Sequence, residues 1–241
     1  MALISFKDLC FDAQDPVLLG TFWGAALGLH GEALDDGDMR LLGNEKAQSI
    51  WINRVAEAKT VKHRVHLDVN GRSVAEYEAM GARLLPDWGP FDWTVMADPE
   101  GGEFCLFERD RPPARRHSEI EPSWDDAYRL YELGVDAADA GLIGSWWAEA
   151  FGAPLRGSDR DFYSLEGIEG CPFDSIVFIS VPEPKTIKNR IHWDVTLVGE
   201  ATVDDLVDTG ATILRAQDEE ISWTVMADPE GNEFCVFATL G

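Results

Sequence analysis

The chain has 241 residues, 45% of them hydrophobic, enough for one large domain or two ordinary ones with real cores. Twenty basic against forty-four acidic residues give a net charge of -24, a sign that argues against nucleic acid and anionic membrane surfaces as partners. The first residues carry no secretory pattern, no apolar run approaches the roughly 20 residues that span a bilayer, and Cys10, Cys105, Cys171 and Cys235 form no CxxC pair, so a reduced, cytoplasmic protein is expected.

In chain order, a strand is expected near Phe6–Asp12, then a helix over about Asp15–Leu27, where Leu18, Leu19, Phe22, Trp23 and Ala26 fall at helical spacing. Gly28 is its stop signal. Strands follow around Met39–Gly43 and Ser49–Val55. The order then restarts with a strand at Arg64–Asn70, a helix over Ser73–Met80 stopped by Gly81, and strands at Arg83–Leu85, Trp93–Ala97 and Glu103–Glu108. Each stretch reads as a βαβββ module. The last two strands enclose Asp98-Pro99-Glu100-Gly101, which has the residues of a type I turn, with Gly101 suited to a left-handed closure. Alternation then puts Glu103, Cys105 and Phe107 on one face and Phe104 and Leu106 on the other.

The whole pattern is written twice. "DAQDPVLLGTFWGAALG" (Asp12–Gly28) matches "DAADAGLIGSWWAEAFG" (Asp136–Gly152), and "SIWINRVAEAKTVKHRVHLDV" (Ser49–Val69) matches "SIVFISVPEPKTIKNRIHWDV" (Ser175–Val195). "SVAEYEAMGARLL" (Ser73–Leu85) matches "TVDDLVDTGATIL" (Thr202–Leu214), and "WTVMADPEGGEFCLF" (Trp93–Phe107) matches "WTVMADPEGNEFCVF" (Trp223–Phe237). A tandem duplication follows, with one domain at 1–108, a charged, proline-containing linker at 109–123 and a second domain at 124–241.

One basic stripe stands against the acidic background. Lys59, Lys62, Arg64, His66 and Asp68 recur as Lys185, Lys188, Arg190, His192 and Asp194. On a regular strand Arg64, His66 and Asp68 share one face, with Val65, Leu67 and Val69 on the other. Two readings stand: a row gripping an anionic or oxygen-rich small ligand, or an internal ladder in which Arg64 pairs with Asp68 or Glu103. Tryptophans divide similarly. Trp23 and Trp147 recur in the helices as core, and Trp93 and Trp223 recur in the hairpins. Trp51, Trp88, Trp146 and Trp193 have no counterpart, and either pack or stack a planar ligand.

Paired βαβββ modules, "FWGAALG" and "WWAEAFG" closing the first helices, "RVHLDV" and "RIHWDV" opening the second modules, and "ADPEGNEFCVF" near the end together resemble the vicinal oxygen chelate superfamily, in its glyoxalase-like, bleomycin-resistance and dioxygenase branch. The resemblance covers all but the linker and implies an α+β fold: two tandem glyoxalase-like domains, each of two βαβββ modules forming a curved, half-open barrel-like sheet. It implies one divalent metal in the catalytic members, held from the first strand, from the histidine opening the second module and from a last-strand glutamate.

By position these fall at Asp8 and Glu132, at His66 and His192, and at Cys105 and Cys235, so the implied ion lies at Asp8/His66 or Glu132/His192 with cysteine or water completing the shell. Cysteine replaces glutamate in both copies. Thiolate suits zinc better than magnesium or manganese, while a buried free cysteine also packs as a small hydrophobe. His192 is the sole histidine of the second copy, and His63 and His66 point to opposite strand faces, which disfavours an extradiol iron site. The expectation is a small-molecule-binding protein with a degenerate metal site, or alternatively a divalent-metal-dependent lyase or isomerase of the glyoxalase I kind. The two copies are expected to form an internal pseudo-dimer, in a monomer or a homodimer.

Overall fold

The computed structural model describes residues 2–86, 91–113, 123–125, 127–158 and 162–238. Trp88 and most of the 109–123 linker lie outside them.

The first copy comprises β1 (Ile4–Ala13), α1 (Pro16–Leu27), β2 (His30–Ala33), β3 (Met39–Leu42) and β4 (Ser49–Arg54), then β5 (Val65–Gly71), α2 (Val74–Ala79), β6 (Arg83–Leu84), β7 (Thr94–Ala97) and β8 (Glu103–Glu108). The second repeats this order as β9 (Leu130–Ala137), α3 (Ala140–Phe151), β10 (Leu155–Gly157), β11 (Phe162–Glu166) and β12 (Ser175–Ser180), then β13 (Ile191–Leu197), α4 (Val203–Asp208), β14 (Thr212–Arg215), β15 (Thr224–Ala227) and β16 (Glu233–Phe237). The expected βαβββ order holds four times.

Local chemistry explains the helix ends. The Asp15 carboxylate accepts from the Leu18 amide at 3.0 Å, Pro16 opens α1, and Gly28 closes it in the left-handed region at φ 72°. Asp139 and Gly152 do the same for α3, with Asp139 accepting from the Leu142 amide at 2.9 Å. The β2 strand, His30–Ala33, is an addition to the sequence reading: its "HGEA" is largely exposed and alternates nothing apolar with polar.

The strands make two eight-stranded sheets, ordered β14-β15-β16-β13-β1-β4-β3-β2 and β10-β11-β12-β9-β5-β8-β7-β6. Within each second module the outer strands meet in parallel, with Asp68 opposite Cys105 and Asp194 opposite Cys235. The chain groups into two compact units: unit I holds Met1–Cys10 with Leu133–Gly241, and unit II holds Phe11–Glu132.

Each unit has its own aromatic core. In unit II the α1 side chain Trp23 meets Phe11 and Phe104 edge-on, with centroids 5.9 and 5.3 Å away. In unit I the α3 side chain Trp147 meets Phe234 at 5.0 Å and Trp193 at 4.7 Å. Val65, Leu67, Val69, Phe104 and Leu106 face this packing and are at most 2% exposed, which leaves the opposite strand faces to the polar residues. Among the described residues no helix is long and apolar enough to cross a membrane.

Candidate functional site

The repeated hairpin is a fastening. Gly101 has φ 85° and its amide donates to the Asp98 carbonyl at 2.9 Å, the expected type I closure. The Asp98 carboxylate accepts from the Glu100 and Gly102 amides at 2.9 and 2.8 Å, and Asp228 accepts from Glu230 and Asn232, both at 2.9 Å. Glu100 reaches across to the amides of Gln14 and Asp15 at 3.1 and 2.7 Å, and Glu230 to those of Ala138 and Asp139, both at 2.8 Å. Glu103 pairs with Lys59 at 2.8 Å and accepts from the His63 amide, just as Glu233 pairs with Lys185 at 2.7 Å and accepts from Asn189. Every carboxylate of the motif is spent on its own fold.

Farther along the same strand faces lies a second set of chemical groups. In unit I, β16, β13 and β1 are neighbours, and Cys235, His192 with Asp194, and Asp8 with Cys10 converge there. Donor atoms of Cys10, His192 and Asp194 all lie within 4.8 Å of one another. The Cys10 thiol donates to Asp194 Oδ2 at 3.5 Å, Cys235 Sγ lies 3.5 Å from His192 Nε2, and that nitrogen lies 3.7 Å from Asp194 Oδ1. Lys7 Nζ pairs with Asp8 at 2.8 Å, sits 3.9 Å from Asp194 and covers the Phe237 ring at 4.1 Å.

Burial governs the charges of this cluster. It lifts the Asp194 carboxyl well above the usual range, helped by the Asp8 carboxyl beside it. It also lifts the Cys10 and Cys235 thiols, each reinforced by Asp194. Burial, then Lys188, pushes His192 down to about 4, so its imidazole is neutral and fit to be a ligand.

Unit II carries the counterpart, in which His66, Asp68 and Cys105 donors also lie within 4.8 Å of one another. Here the histidine behaves oppositely. Burial alone would lower it, but Asp68, with its Oδ1 3.2 Å from His66 Nε2, and then Cys105 raise it well above the histidine range. The Asp68 carboxylate thus favours the protonated form of His66. Farther along the same sheet, at the level where Phe107 lies opposite Asn70, runs an aromatic row. Phe91 stacks on Trp93 at 4.6 Å and 4°, Trp93 on Phe107 at 5.5 Å and 29°, and Tyr131 meets Phe107 edge-on at 5.4 Å. Unit I keeps only the Trp223–Phe237 pair of that row, at 5.5 Å, with Lys7 where the sequence repeat has Tyr131.

The expected residues are thus partly regrouped. His66, Asp68 and Cys105 come together in unit II, and His192, Asp194 and Cys235 come together in unit I. Asp8, matched by position to His66, lies instead in the His192 and Asp194 cluster, because its stretch of β1 runs beside β13. Glu132 is half-buried on β9 and belongs to neither donor cluster among the described residues. Glu103 pairs with Lys59 and Asp68 with His66, while Arg64 and Arg190 are both half-buried. Cys10 was overlooked. The signal was available, since it sits two residues from Asp8 and so on the same strand face.

Imidazole, thiol and carboxylate together are the donor set of zinc sites, whereas magnesium and calcium ask for oxygen throughout. The donors fit a soft divalent ion, and the orphaned buried oxygen Asp194 Oδ1 in unit I fits one as well.

A family model for the glyoxalase-like domain matches residues 8–107 and again 132–237. Among solved structures, the chain is similar to a point mutant of glyoxalase I from Zea mays, with 14% identity, a TM-score of 0.63 and coverage of 98% of this chain and 94% of that one. It is also similar to a putative dioxygenase from Bacillus subtilis, with 13% identity, a TM-score of 0.62 and coverage of 100% and 86%. The cppA protein of Streptococcus pneumoniae aligns at 8% identity and a TM-score of 0.52, over 99% of this chain and 100% of that one. At these identities the likeness is one of fold. No curated protein matches the sequence.

Proposed function

Because the chain belongs to the glyoxalase-like family, with one family domain in each copy, we propose that it binds a small molecule on the polar face of the β5 and β8 strands of unit II. The observation that carries this reading is the row Phe91–Trp93–Phe107–Tyr131 lying on the same sheet as the His66–Asp68 pair. Stacked aromatic faces take a flat apolar body, and a histidine on the same polar face can take an oxygen-rich or anionic group. Phe91 is 50% exposed, so the row opens to solvent at one end. The ligand expected is a small planar molecule bearing a carboxylate or adjacent oxygens.

The test is a fluorescence titration of the full chain with a panel of aromatic carboxylates and vicinal dicarbonyl compounds. Saturable quenching that is lost in Trp93→Ala and weakened in His66→Gln supports the reading. Quenching unchanged by either substitution, or none across the panel, overturns it.

A second reading, a divalent-metal-dependent lyase or isomerase of the glyoxalase I kind, is favoured by the donor clusters in both units. An ion there would polarise paired substrate oxygens, and the cysteines make zinc the better candidate than magnesium or manganese. Turnover of a dicarbonyl adduct that is abolished by a chelator and restored by zinc would favour this reading over simple binding.

A further inference from the structure

One cation of unit II has no part in the chemistry described so far. Arg109 directly follows β8, and because Phe107 stands two residues before it, both side chains leave the same side of the strand. Its amide donates to the Gly71 carbonyl at 2.8 Å, so the bonding between β5 and β8 continues through it and holds its backbone. The guanidinium carbon lies 5.3 Å from the Phe107 ring centroid and 5.8 Å from that of Tyr131, within the range of cation–π attraction. Arg109 thus closes the row that opens to solvent at Phe91.

We propose that Arg109 selects the ligand of unit II, holding the carboxylate of a flat aromatic acid whose body lies against Phe107 and Trp93. This rests on the reading that the row binds a small molecule, and it names the residue that sorts such molecules by charge.

Three observations carry the assignment. The first is availability. Arg40, Arg72, Arg129, Arg156 and Arg215 each lie within 3.8 Å of a carboxylate oxygen, as a net charge of -24 makes easy. Arg109 is exposed and has no carboxylate partner among the described residues. Its Nη1 donates only to the Glu108 carbonyl, at 3.4 Å. A guanidinium carries five N–H donors in a planar fork that matches the two oxygens of a carboxylate, so most of that fork is left for a ligand.

The second is the place of His66. Its Nε2 is already turned to Asp68 Oδ1 at 3.2 Å, and Asp68 stands at the level of Cys105. Phe107, two residues farther along, stands at the level of Asn70, and the Arg109 guanidinium reaches back over its ring. A carboxylate seated at Phe107 therefore meets the uncommitted cation, which leaves His66 to any further oxygens of the ligand.

The third is the contrast with unit I. A cation covers the matching ring there too, with Lys7 Nζ 4.1 Å from the Phe237 centroid, but Asp8 neutralises it at 2.8 Å. Thr239 stands in the sequence where the repeat has Arg109. The copy that keeps the longer aromatic row is the copy that keeps an unneutralised guanidinium beside it. In so acidic a chain the general field repels anions, and a local unpaired cation is what admits one.

The full chain is to be titrated by calorimetry with 2-naphthoate and 2-naphthamide, which share a shape and differ in charge. Naphthoate should bind about fivefold tighter or better at low salt, and the preference should shrink at about 1 M salt, where the screening length is about 3 Å. Arg109→Met should erase the preference, whereas Arg156→Met, an equal loss of charge in unit I, should leave it intact. Equal affinities in the unaltered chain overturn the proposal, as does a preference that survives Arg109→Met or is lost equally in Arg156→Met. The comparison in the unaltered chain needs no substitution, so a poorly folding variant does not shield the idea. Naphthamide binding that depends on Trp93 but comes with no preference for naphthoate removes Arg109 alone and leaves the row as a binding site. No binding of either probe removes both.

Discussion

The Trp147 indole donates to Asp228 Oδ2 at 3.0 Å, tying the middle of α3 to the turn of the β15–β16 hairpin inside the core of unit I. Both residues are buried, Trp147 completely. Trp147→Phe should therefore cost more than the area of the lost ring, because the carboxylate loses a donor where water cannot replace it. A loss of about 3 kcal/mol or more in urea unfolding is expected, near the range for large-to-small core changes. A loss below about 1 kcal/mol would mean the bond contributes little.

The matching Asp98 in unit II gives a pH signature. Burial pushes its carboxyl up to about 6 from an ordinary value of 3.8, even though the amides of Glu100 and Gly102 donate to it. The folded protein therefore holds this proton more tightly than the unfolded chain does. The resulting stabilisation is complete below about pH 4 and is lost as pH rises through about 6, by about 3 kcal/mol. General repulsion in so acidic a chain acts in the same direction, so the comparison to make is with Asp98→Asn, which cannot titrate. The wild-type stability should fall relative to the variant across that window; parallel profiles would remove Asp98 as the cause.

Glu230 bonds two consecutive backbone amides at the entry to α3, and Glu100 does so at the entry to α1. Glu230→Gln sets an amide donor against one of those N–H groups. A cost of about 0.5–2 kcal/mol is expected, the range of a lost N-cap, together with faster hydrogen exchange at Ala138 and Asp139. Unchanged exchange at those two amides would refute the tie.

Two glycines separate strain from collision. Gly101, at φ 85°, has open space around a notional Cβ, so Gly101→Ala should cost only the left-handed penalty of about 1–2 kcal/mol. Gly28, at φ 72°, would drive that atom into the Ala127 carbonyl oxygen, so Gly28→Ala should cost clearly more. Equal losses in thermal unfolding would contradict the distinction.

Much of this was legible in the chain and some was not, for reasons that differ by residue. Asp15 and Gly28, or Ser73 and Gly81, mark helix ends by chemistry that acts over three or four residues, and their positions could be read directly. The alternation that buries Val65, Leu67 and Val69 is equally local. The company of Asp8 is not, since it depends on β1 lying beside β13, strands more than 180 residues apart in the chain. Likewise the pairing of Glu103 with Lys59 was not legible, because only the path of the loop before β5 brings Lys59 to it. His66 and His192 share one sequence motif, yet their proton affinities shift in opposite directions, because Asp68 and Cys105 raise the first while burial and Lys188 lower the second.

The strings most faithfully duplicated here, the two ADPEG turns, bind backbone amides, and an amide is present whatever residue supplies it. Apart from side chains such as Trp147 that reach the turn aspartate, their partners can change without loosening the joint, which lets the rest of each copy's polar strand face diverge. The segment that best announces the lineage is thus the one that carries least information about chemistry, and lineage and activity are written in different letters of the same strands.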